Sequence, residues 1–189
     1  MRTLGFQRGT GSSQAEETGA RRGCCAKDLV RISFGVIWLI DAALKWQPGF
    51  RQSFMSQLMG QADGQPGWLR GWFKFWVDLQ HPHPMVWAYL AAATETVIAL
   101  ALILGFARKL TYIAAILFSL LIWATAEGFG GPYTGRSTDV GTAIIYAVVF
   151  AALLALNYEA GPSRFSVDHL IEQRVPWWHL VAEVNGRRS

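Results

Sequence analysis

Charged residues are scarce in this chain. Of its 189 residues, only 16% are Asp, Glu, Lys or Arg, whereas 52% are hydrophobic. Soluble domains carry about 25% charged residues, so the composition disfavours a soluble globular fold. Disorder of the whole chain is excluded as well, because disordered chains combine low hydrophobicity with high net charge. A lipid bilayer is therefore the expected environment.

Cysteine is almost absent, and the two cysteines, Cys24 and Cys25, are adjacent. This excludes a secreted scaffold held together by disulfides. The sequence has no C-x-x-C-H haem-attachment motif, no cysteine cluster for iron and sulfur, and no dinucleotide fingerprint. The pI is about 9.3, but the basic residues do not belong to a polar domain that could present them to phosphates. We therefore predict no bound metal, haem or nucleotide, and no nucleic-acid partner.

Four apolar runs each approach the ~20 residues that cross the hydrocarbon core of a bilayer. They cover residues 29–47, 86–104, 110–126 and 140–158. Because backbone groups within lipid must be paired internally, each run is expected to be a helix. The sequence thus predicts an all-α integral membrane protein whose four spans form a four-helix bundle.

The distribution of Lys and Arg near the ends of these spans predicts their orientation. Basic residues concentrate in three regions: the N-terminal segment, the turn between the second and third spans, and the C-terminal tail. All three regions are expected to face the cytoplasm. The sequence therefore predicts a multi-pass protein of the cell membrane with both its N and C termini cytoplasmic.

Polar segments flank the predicted membrane domain, which covers residues 28–160. Residues 1–27 are rich in Gly, Ser, Arg and Glu and have no periodic apolar face, which predicts a disordered basic N-terminal tail. Residues 161–189 mix apolar and polar residues and include the pair Trp177 and Trp178. This pattern predicts a cytoplasmic amphipathic tail at the level of the lipid headgroups. A docking surface for a soluble partner is the alternative.

The loop between the first two spans contains the aromatic-rich stretch GWLRGWFKFWVDLQHPHP. We interpret it as a short amphipathic helix that lies at the membrane surface. His81 and His83 stand near its end, separated by one residue in a proline-rich segment. Because zinc and copper sites need three or four ligands, this pair does not predict a metal site.

Three ionisable residues lie deep inside the predicted spans. Asp41 and Lys45 belong to the first span and Glu95 to the second. At a rise of 1.5 Å per residue, Asp41 and Glu95 come within about 3 Å of the same depth. Ionisable groups are costly in lipid and commonly mark functional sites. We predict that Asp41, Lys45 and Glu95 form one coupled site with proton-exchanging carboxylates. A structural ion pair that fixes helix packing is the alternative, and Arg31 is expected to extend to the cytoplasmic interface.

Three further residues are candidates for holding a cofactor. Helical spacing places Trp38 on the same face of the first span as Asp41 and Lys45, and surrounds Glu95 with alanines on the second span. Glu127 and Asp139 belong to the glycine-rich loop EGFGGPYTGRSTDVG, whose backbone amides could hold an anion or a carbonyl group. A plain turn with the two acids in loop or cap positions is the alternative.

Several motifs of this sequence resemble those of the DoxX family. The resemblance rests on Arg31, Gly35 and Lys45 in the first span, on ETVIALALILG followed by Arg108, and on GPSRFSVDHL after the fourth span. It covers residues 29–170. It implies a small four-helix membrane protein linked to redox chemistry and related to DoxD, which resembles the membrane subunit of a thiosulfate to quinone oxidoreductase.

Two classes of function follow. The first is a quinone-interacting or redox-associated membrane subunit with a soluble or membrane redox partner. In it, Glu95 and Asp41 exchange protons, Lys45 is their counter-charge or an anion contact, and aromatic residues of the outer loop cover the pocket. The alternative is a non-catalytic scaffold, an accessory subunit or a small-solute transporter. A cavity lined by Glu95, Asp41 or Lys45 would favour the first class, and a closed, fully paired cluster would favour the second.

Overall fold

The structure is a computed structural model that describes residues 10–63, 65–131, 139–159 and 165–184, with the side chains described from residue 26 onward. All regular elements in these ranges are helical, which confirms the all-α prediction for this part of the chain. The α-helices are α1 (Thr10–Lys45), α2 (Pro48–Ala62), α3 (Arg70–Gln80), α4 (Pro84–Leu104), α5 (Arg108–Ala124), α6 (Thr142–Glu159), α7 (Val167–Glu172) and α8 (His179–Ala182). Single 3-10 turns cover Gly67–Leu69, Gly128–Gly130 and Pro176–Trp178.

The four long helices α1, α4, α5 and α6 pack side by side. α1 lies against α4 and α5 lies against α6, and further contacts join α4 to α5 and α1 to α6. Two of the described helices, α4 and α6, are long and apolar enough to cross a membrane. They correspond to the predicted second and fourth spans, with each helix starting two residues away from its predicted start.

The contact between α1 and α4 is built from small residues. On α1, the buried face includes Gly35 and Ala42, and on α4 it includes Ala88, Ala92 and Ala99. A Cβ atom added at Gly35 would lie 2.9 Å from Ile103 Cγ1 and 3.1 Å from the Ile103 backbone nitrogen. Small side chains let the two backbones approach closely, as they do between membrane helices. The alanine stripe of α4 therefore faces Gly35 and Ala42 of α1, and of the predicted α1 stripe only Lys45 reaches it, at Glu95.

Aromatic rings fill the centre of the long-helix arrangement. Trp38 of α1 is buried and packs edge-to-face against Phe150 and Tyr146 of α6 and Phe118 of α5, with centroid distances of 4.9, 5.8 and 6.5 Å. Edge-to-face pairs are favourable beyond the apolar area that they bury. Trp38 thus joins three of the long helices.

The first helix differs from the prediction at its start. A disordered tail was expected over residues 1–27, whereas α1 extends back to Thr10, and residues 1–9 lie outside the described part. The added segment contains Ala, Gln, Glu and Arg, which are good helix formers. Because it continues an existing helix, it also avoids the cost of nucleating a new one.

The connection between α1 and α4 also differs from the prediction, because it contains two helices where one was expected. α3 is the predicted aromatic helix, and it packs on protein: Trp72 Nε1 donates a hydrogen bond of 2.7 Å to the Ala124 carbonyl oxygen. α2 was not predicted. Pro48 stands in its first turn, where proline is favoured, and α2 packs against both α3 and α4. We call residues 48–80, which carry α2 and α3, the roof.

The C-terminal tail folds onto the turn between α4 and α5, and it forms α7, α8 and the 3-10 turn between them. The Asp168 backbone N–H donates to the Gly105 carbonyl oxygen at 3.2 Å. Phe165, Leu170, Trp177 and Leu180 of the tail remain exposed. The first and last residues of the predicted tail, 161–164 and 185–189, lie outside the described residues.

Candidate functional site

The structure brings the three predicted ionisable residues together. Lys45 Nζ lies 2.7 Å from Glu95 Oε2 and 2.9 Å from Asp41 Oδ2. Asp41 and Lys45 are four residues apart on α1, the spacing that places side chains on one helix face. Glu95 reaches the same ammonium from the alanine face of α4. We call these three residues the ion cluster.

The two carboxylates of the ion cluster have different surroundings. The Glu95 side chain is 3% exposed, whereas the Asp41 side chain is 42% exposed. The Lys45 ammonium lies between them and also stands 5.8 Å from the ring centroid of Phe50, the first aromatic residue of the roof. A cation at this distance from an aromatic ring is attracted by the ring's electron density. One ammonium therefore links a buried acid to a partly exposed acid.

A cavity of about 540 Å³ opens beside the ion cluster. It lies between the first half of α4 and the last turns of α5, with α2 and the end of α3 covering it. Most lining side chains are apolar or aromatic, and the polar ones include Lys45, Glu95 and Glu127. Cavities of this size and character are typical of small-molecule sites.

The roof supplies one wall of this cavity. Phe50, Phe54 and Leu58 follow each other at intervals of four residues on α2, and all three line the cavity. Trp76 and Gln80 of α3 line it as well. A hydrogen bond also joins the roof to the 3-10 turn after α5, where Gln65 Nε2 donates to the Gly128 carbonyl oxygen at 3.1 Å.

Of the three predicted cofactor-binding residues, one lines the cavity. Trp38 stands one ring away from it, because Phe118 contacts Trp38 and itself lines the cavity. Glu127 is at the cavity wall, and both of its carboxylate oxygens accept from the Ala143 backbone N–H, at 3.0 and 3.1 Å. Glu127 thus caps the N-terminus of α6, where a negative charge is favoured by the helix dipole.

Asp139 lies apart from the cavity in the described part of the loop. Its Oδ1 accepts a hydrogen bond of 3.2 Å from the Gly141 backbone N–H, which is the loop role that was the alternative for this residue. Residues 132–138, the middle of the glycine-rich loop, lie outside the described residues. Within the described ranges, the structure has no group of three or more His, Cys, Asp or Glu residues placed to hold a metal ion.

Sequence reasoning expected aromatic residues of the outer loop to cover the pocket, as Trp76 does, but it missed the cavity-lining residues Trp87 and Gln80. A signal for the roof existed in the spacing of Phe50, Phe54 and Leu58, which is the spacing of one helix face. The burial of Gln80, in contrast, depends on how α3 packs against the other helices, and short-range sequence patterns carry no information on that.

A second charged cluster closes the other end of the long helices. Arg31 was expected to extend to the membrane interface, and this expectation was wrong, because only 1% of Arg31 is exposed. Its guanidinium donates to the carbonyl oxygens of Leu102, Ile103 and Phe165, the last two at 3.0 and 2.7 Å. Helix α4 ends just before Gly105, which adopts a left-handed φ of 64°. A cation bonded to the free carbonyl groups of a helix end is favoured by the helix dipole.

Asp168 joins the C-terminal tail to this helix end. Its carboxylate accepts from the backbone N–H groups of Ala107 and Arg108 at 2.6 and 3.0 Å, from Arg108 Nε at 3.0 Å, and from Trp178 Nε1 at 2.8 Å. Arg108 Nη2 also donates to Glu183. We call Arg31, Arg108, Asp168 and Glu183 the C-terminal clamp.

Burial affects the ionisation of the C-terminal clamp. Burial raises the pKa of the Glu183 carboxyl above its usual range, and the nearby Arg108 guanidinium opposes that increase only in part. Burial also raises the pKa of Glu172, which lies on the same tail. The clamp therefore holds Glu183 at a site where its charged form is disfavoured.

Comparison with protein families places these features in a known group. The family model described as DoxX matches residues 26–128, which is more than half of the chain. The chain belongs to the DoxX family. Members of the DoxX family are membrane proteins, which agrees with the two apolar helices long enough to cross a bilayer. No curated protein and no solved structure matches the chain.

The matched region contains the ion cluster and all the residues that line the cavity. Arg31 and Arg108 of the C-terminal clamp also fall inside the DoxX match, whereas Asp168 and Glu183 fall outside it. The resemblance stated on sequence motifs is thus confirmed over residues 26–128.

Proposed function

We propose that this DoxX protein is a quinone-interacting, redox-associated subunit of a membrane complex. The observation that carries the proposal is the cavity of about 540 Å³ beside Lys45 and Glu95. Its predominantly apolar and aromatic lining suits a flat apolar ring, and the Lys45 ammonium offers a hydrogen-bond donor to a ring carbonyl. A closed cluster without a cavity would have favoured a scaffold instead.

The ion cluster would exchange protons with this ligand. When bound, a quinone supplies an acceptor for electrons and protons. Glu95 is the buried acid beside the cavity, and it would take up or release a proton at its carboxylate. Asp41, with 42% of its side chain exposed, would pass that proton on toward the outer end of α1. Lys45 lies between the two acids and balances one of their charges. Electrons would come from a redox partner protein.

We further propose that α1, α4, α5 and α6 all cross the bilayer. Large apolar side chains are exposed on all four helices, including Ile40 on α1, Val97 on α4, Leu117 on α5 and Val148 on α6. Side chains of this kind are expected where a helix faces lipid. The positions of Lys and Arg favour cytoplasmic N and C termini in the cell membrane. The cavity would then open in the outer half of the membrane.

One observation favours the second candidate, a non-catalytic scaffold. Lys45 contacts both carboxylates of the ion cluster, so the cluster is internally paired and would pin α1 to α4 without any ligand. Buried ion pairs can have such a purely structural role. The two candidates differ in what the cavity binds.

Ligand binding by the purified protein tests the proposal. Titration of the detergent-solubilised protein with a short-chain quinone should quench tryptophan fluorescence, because Trp76 and Trp87 line the cavity. The quenching should saturate in the wild type and weaken in Lys45→Met and Glu95→Gln. Lys74→Met is the matched control, since Lys74 forms an exposed i,i+4 ion pair with Asp78. Quenching that does not saturate in the wild type would favour the scaffold.

Cysteine labelling tests the orientation. In a chain with Cys24→Ser and Cys25→Ser, single cysteines are introduced as Asp63→Cys in the roof and Gln173→Cys in the tail, both at exposed positions. A membrane-impermeant maleimide should label the first in intact cells and the second only after permeabilisation. Labelling in the reverse order would contradict cytoplasmic termini.

A further inference from the structure

One side of the cavity is bordered by side chains that are exposed at the surface of the long helices. Apart from Gln57, the lining side chains of α1, α2 and α3 are buried or half-buried. Leu90 of α4 and Leu121 of α5 also line the cavity, but they are 51% and 38% exposed. Thr94 and Ala126, on the same two stretches, are exposed as well. The least covered side of the cavity therefore lies between α4 and α5.

Leu90 stands at the border between two faces of α4. At about 100° per residue, Val86 and Val97 lie within about 20° of each other around the helix, and both are exposed. Leu90 follows about 40° from Val86, and Thr94 and Ala91 follow at about 80° and 140°. The last three residues line the cavity. Rotation around α4 thus leads from its exposed apolar face, past Leu90, to the cavity.

Helix α5 repeats this order. Leu117 is exposed and does not line the cavity. Leu121 lies about 40° from it, and Thr125 and Ile122 lie at about 80° and 140°. These three residues line the cavity. Because α4 and α5 run in opposite directions from the turn at residues 105–107, the same sense of rotation turns their cavity faces toward each other. Their exposed apolar faces then lie on the same side.

The two leucines also lie at the same height. Leu90 precedes Gly105 by about 22 Å of helix, and Leu121 follows Ala107 by about 21 Å, at a rise of about 1.5 Å per residue. They therefore border one opening from opposite sides. The opening is close to the ion cluster as well, because Leu90 and Glu95 are separated by only about 8 Å along α4.

We propose that the ligand enters the cavity from the hydrocarbon core of the bilayer, between α4 and α5, and that its hydrocarbon chain leaves through the opening between Leu90 and Leu121. This inference rests on the proposed function, since it takes the cavity as the quinone site and the four long helices as membrane spans. It narrows the ligand to a class: a quinone whose ring reaches Lys45 and whose long apolar chain keeps it in the lipid.

The test compares two quinones and measures their dissociation constants by tryptophan quenching, with the protein reconstituted in lipid nanodiscs. Both are naphthoquinones substituted on both free quinone carbons, which blocks addition of thiols. One carries a methyl group and an isoprenoid chain, and the other carries only methyl groups. In Leu90→Phe/Leu121→Phe, binding of the chain-bearing quinone should weaken about tenfold, because the added rings overlap the path of the chain. Binding of the short quinone should change less than about twofold.

A matched control places the same rings elsewhere on the same helices. Val97→Phe/Leu117→Phe changes two exposed residues that do not line the cavity, and it should bind both quinones like the wild type. Each quinone is compared with itself across the variants, so its partition into the lipid cancels. Phenylalanine adds no tryptophan signal, and equal melting temperatures show that the fold is retained.

Photo-crosslinking tests the path of the chain in the wild type, without any substitution. The chain-bearing quinone carries a diazirine on the first isoprene unit of its chain. After irradiation, peptide mapping should find the label on residues 90–94 of α4 and on Leu121 of α5, and an excess of the short quinone should suppress it. A label confined to the roof would overturn the inference.

The possible failures are distinguishable. If the wild type binds both quinones with a dependence on Lys45, but Leu90→Phe/Leu121→Phe weakens both equally or neither, the chain does not pass between the two leucines. The inference is then overturned while the proposed function stands. The same holds if the wild type binds only the short quinone. If the wild type binds neither quinone, the proposed function and this inference fail together.

Discussion

Lys45 Nζ lies 2.7 Å from Glu95 Oε2, where the last turn of α1 meets the middle of α4. Only 3% of the Glu95 side chain is exposed, whereas Asp41, the other partner of Lys45, keeps 42% of its side chain exposed. The two contacts of this ammonium are therefore unequal in energy. The contact with Asp41 is the less buried of the two, while the contact with Glu95 compensates a buried charge.

Removal of Lys45 alone should destabilise the protein strongly. Lys45→Met leaves the Glu95 carboxylate buried without its cation, and breaking a buried pair in this way costs about 3–5 kcal/mol. The double variant Lys45→Met/Glu95→Gln should recover much of this loss, because no uncompensated charge remains. Asp41→Asn should cost less than about 1 kcal/mol, since Asp41 is partly exposed. Thermal unfolding in detergent at neutral pH measures all three.

The ion pair of Lys74 and Asp78 is the control for this comparison. It has the same i,i+4 spacing as Asp41 and Lys45, but both of its side chains are exposed. Lys74→Met should change stability by no more than about 1 kcal/mol. Equal losses in the single and double variants at Lys45 and Glu95 would mean that the contact between them does not stabilise the fold.

The close approach of α1 to α4 at Gly35 predicts a steric effect. In Gly35→Ala the new Cβ would meet Ile103 Cγ1 at 2.9 Å and Leu102 Cβ at 3.0 Å. Overpacking of this kind costs about 1–3 kcal/mol, more than the 0.5–1 kcal/mol that alanine gains over glycine inside a helix. Gly60→Ala, with nothing within 4 Å of the new Cβ, should be stabilising. Melting temperatures that rise for both variants would show that α1 and α4 can move apart enough to accommodate the new methyl group at residue 35.

The C-terminal clamp predicts that Asp168 holds the tail on the helices. Asp168→Asn replaces a buried carboxylate that accepts four hydrogen bonds by a neutral amide. Because the buried Arg108 then lacks its charged partner, we expect the stability to fall by about 3–5 kcal/mol. Trypsin should then cleave faster after Arg174, an exposed residue of the tail. Asp78→Asn is the matched surface control and should leave the cleavage rate unchanged. A tail equally protected in both variants would show that Asp168 is not its anchor.

The raised pKa of Glu183 predicts a pH dependence of stability. Because the folded chain binds the Glu183 proton more tightly than the unfolded chain does, the contribution of this residue is largest below about pH 4.3, the ordinary glutamate pKa. It is lost as the pH rises through the raised value. Glu183→Gln removes this loss, so its melting temperature relative to the wild type should increase with pH. A relative melting temperature that falls with pH would mean that Arg108 outweighs burial.

The sequence could predict the ion cluster because its geometry follows from helix rise and from the i,i+4 spacing of Asp41 and Lys45. These quantities need no knowledge of the tertiary structure. The start of α4 was predictable to within two residues for a similar reason, since Pro84 precedes a long apolar run.

Other features depend on how distant segments meet. Arg31 stands at the end of a predicted span, where a basic residue ordinarily reaches the interface, and only the position of the α4 C-terminus beside it explains its burial. The same holds for Gln80, whose burial depends on the packing of α3 against α2. The helix-face spacing of Phe50, Phe54 and Leu58 in α2 was a short signal, because several of the residues between them are glutamine or serine.

The roof is one continuous stretch of chain, residues 48–80, inserted between two helices that contact each other directly. Replacement of this stretch alone would exchange Phe54, Leu58, Trp76 and Gln80 together and leave Glu95 and the buried faces of α1 and α4 in place. The roof side of the cavity lining and the contact between α1 and α4 thus lie in separate parts of the sequence. Substitutions within residues 48–80 can therefore reshape the cavity while the contact between α1 and α4 keeps its residues.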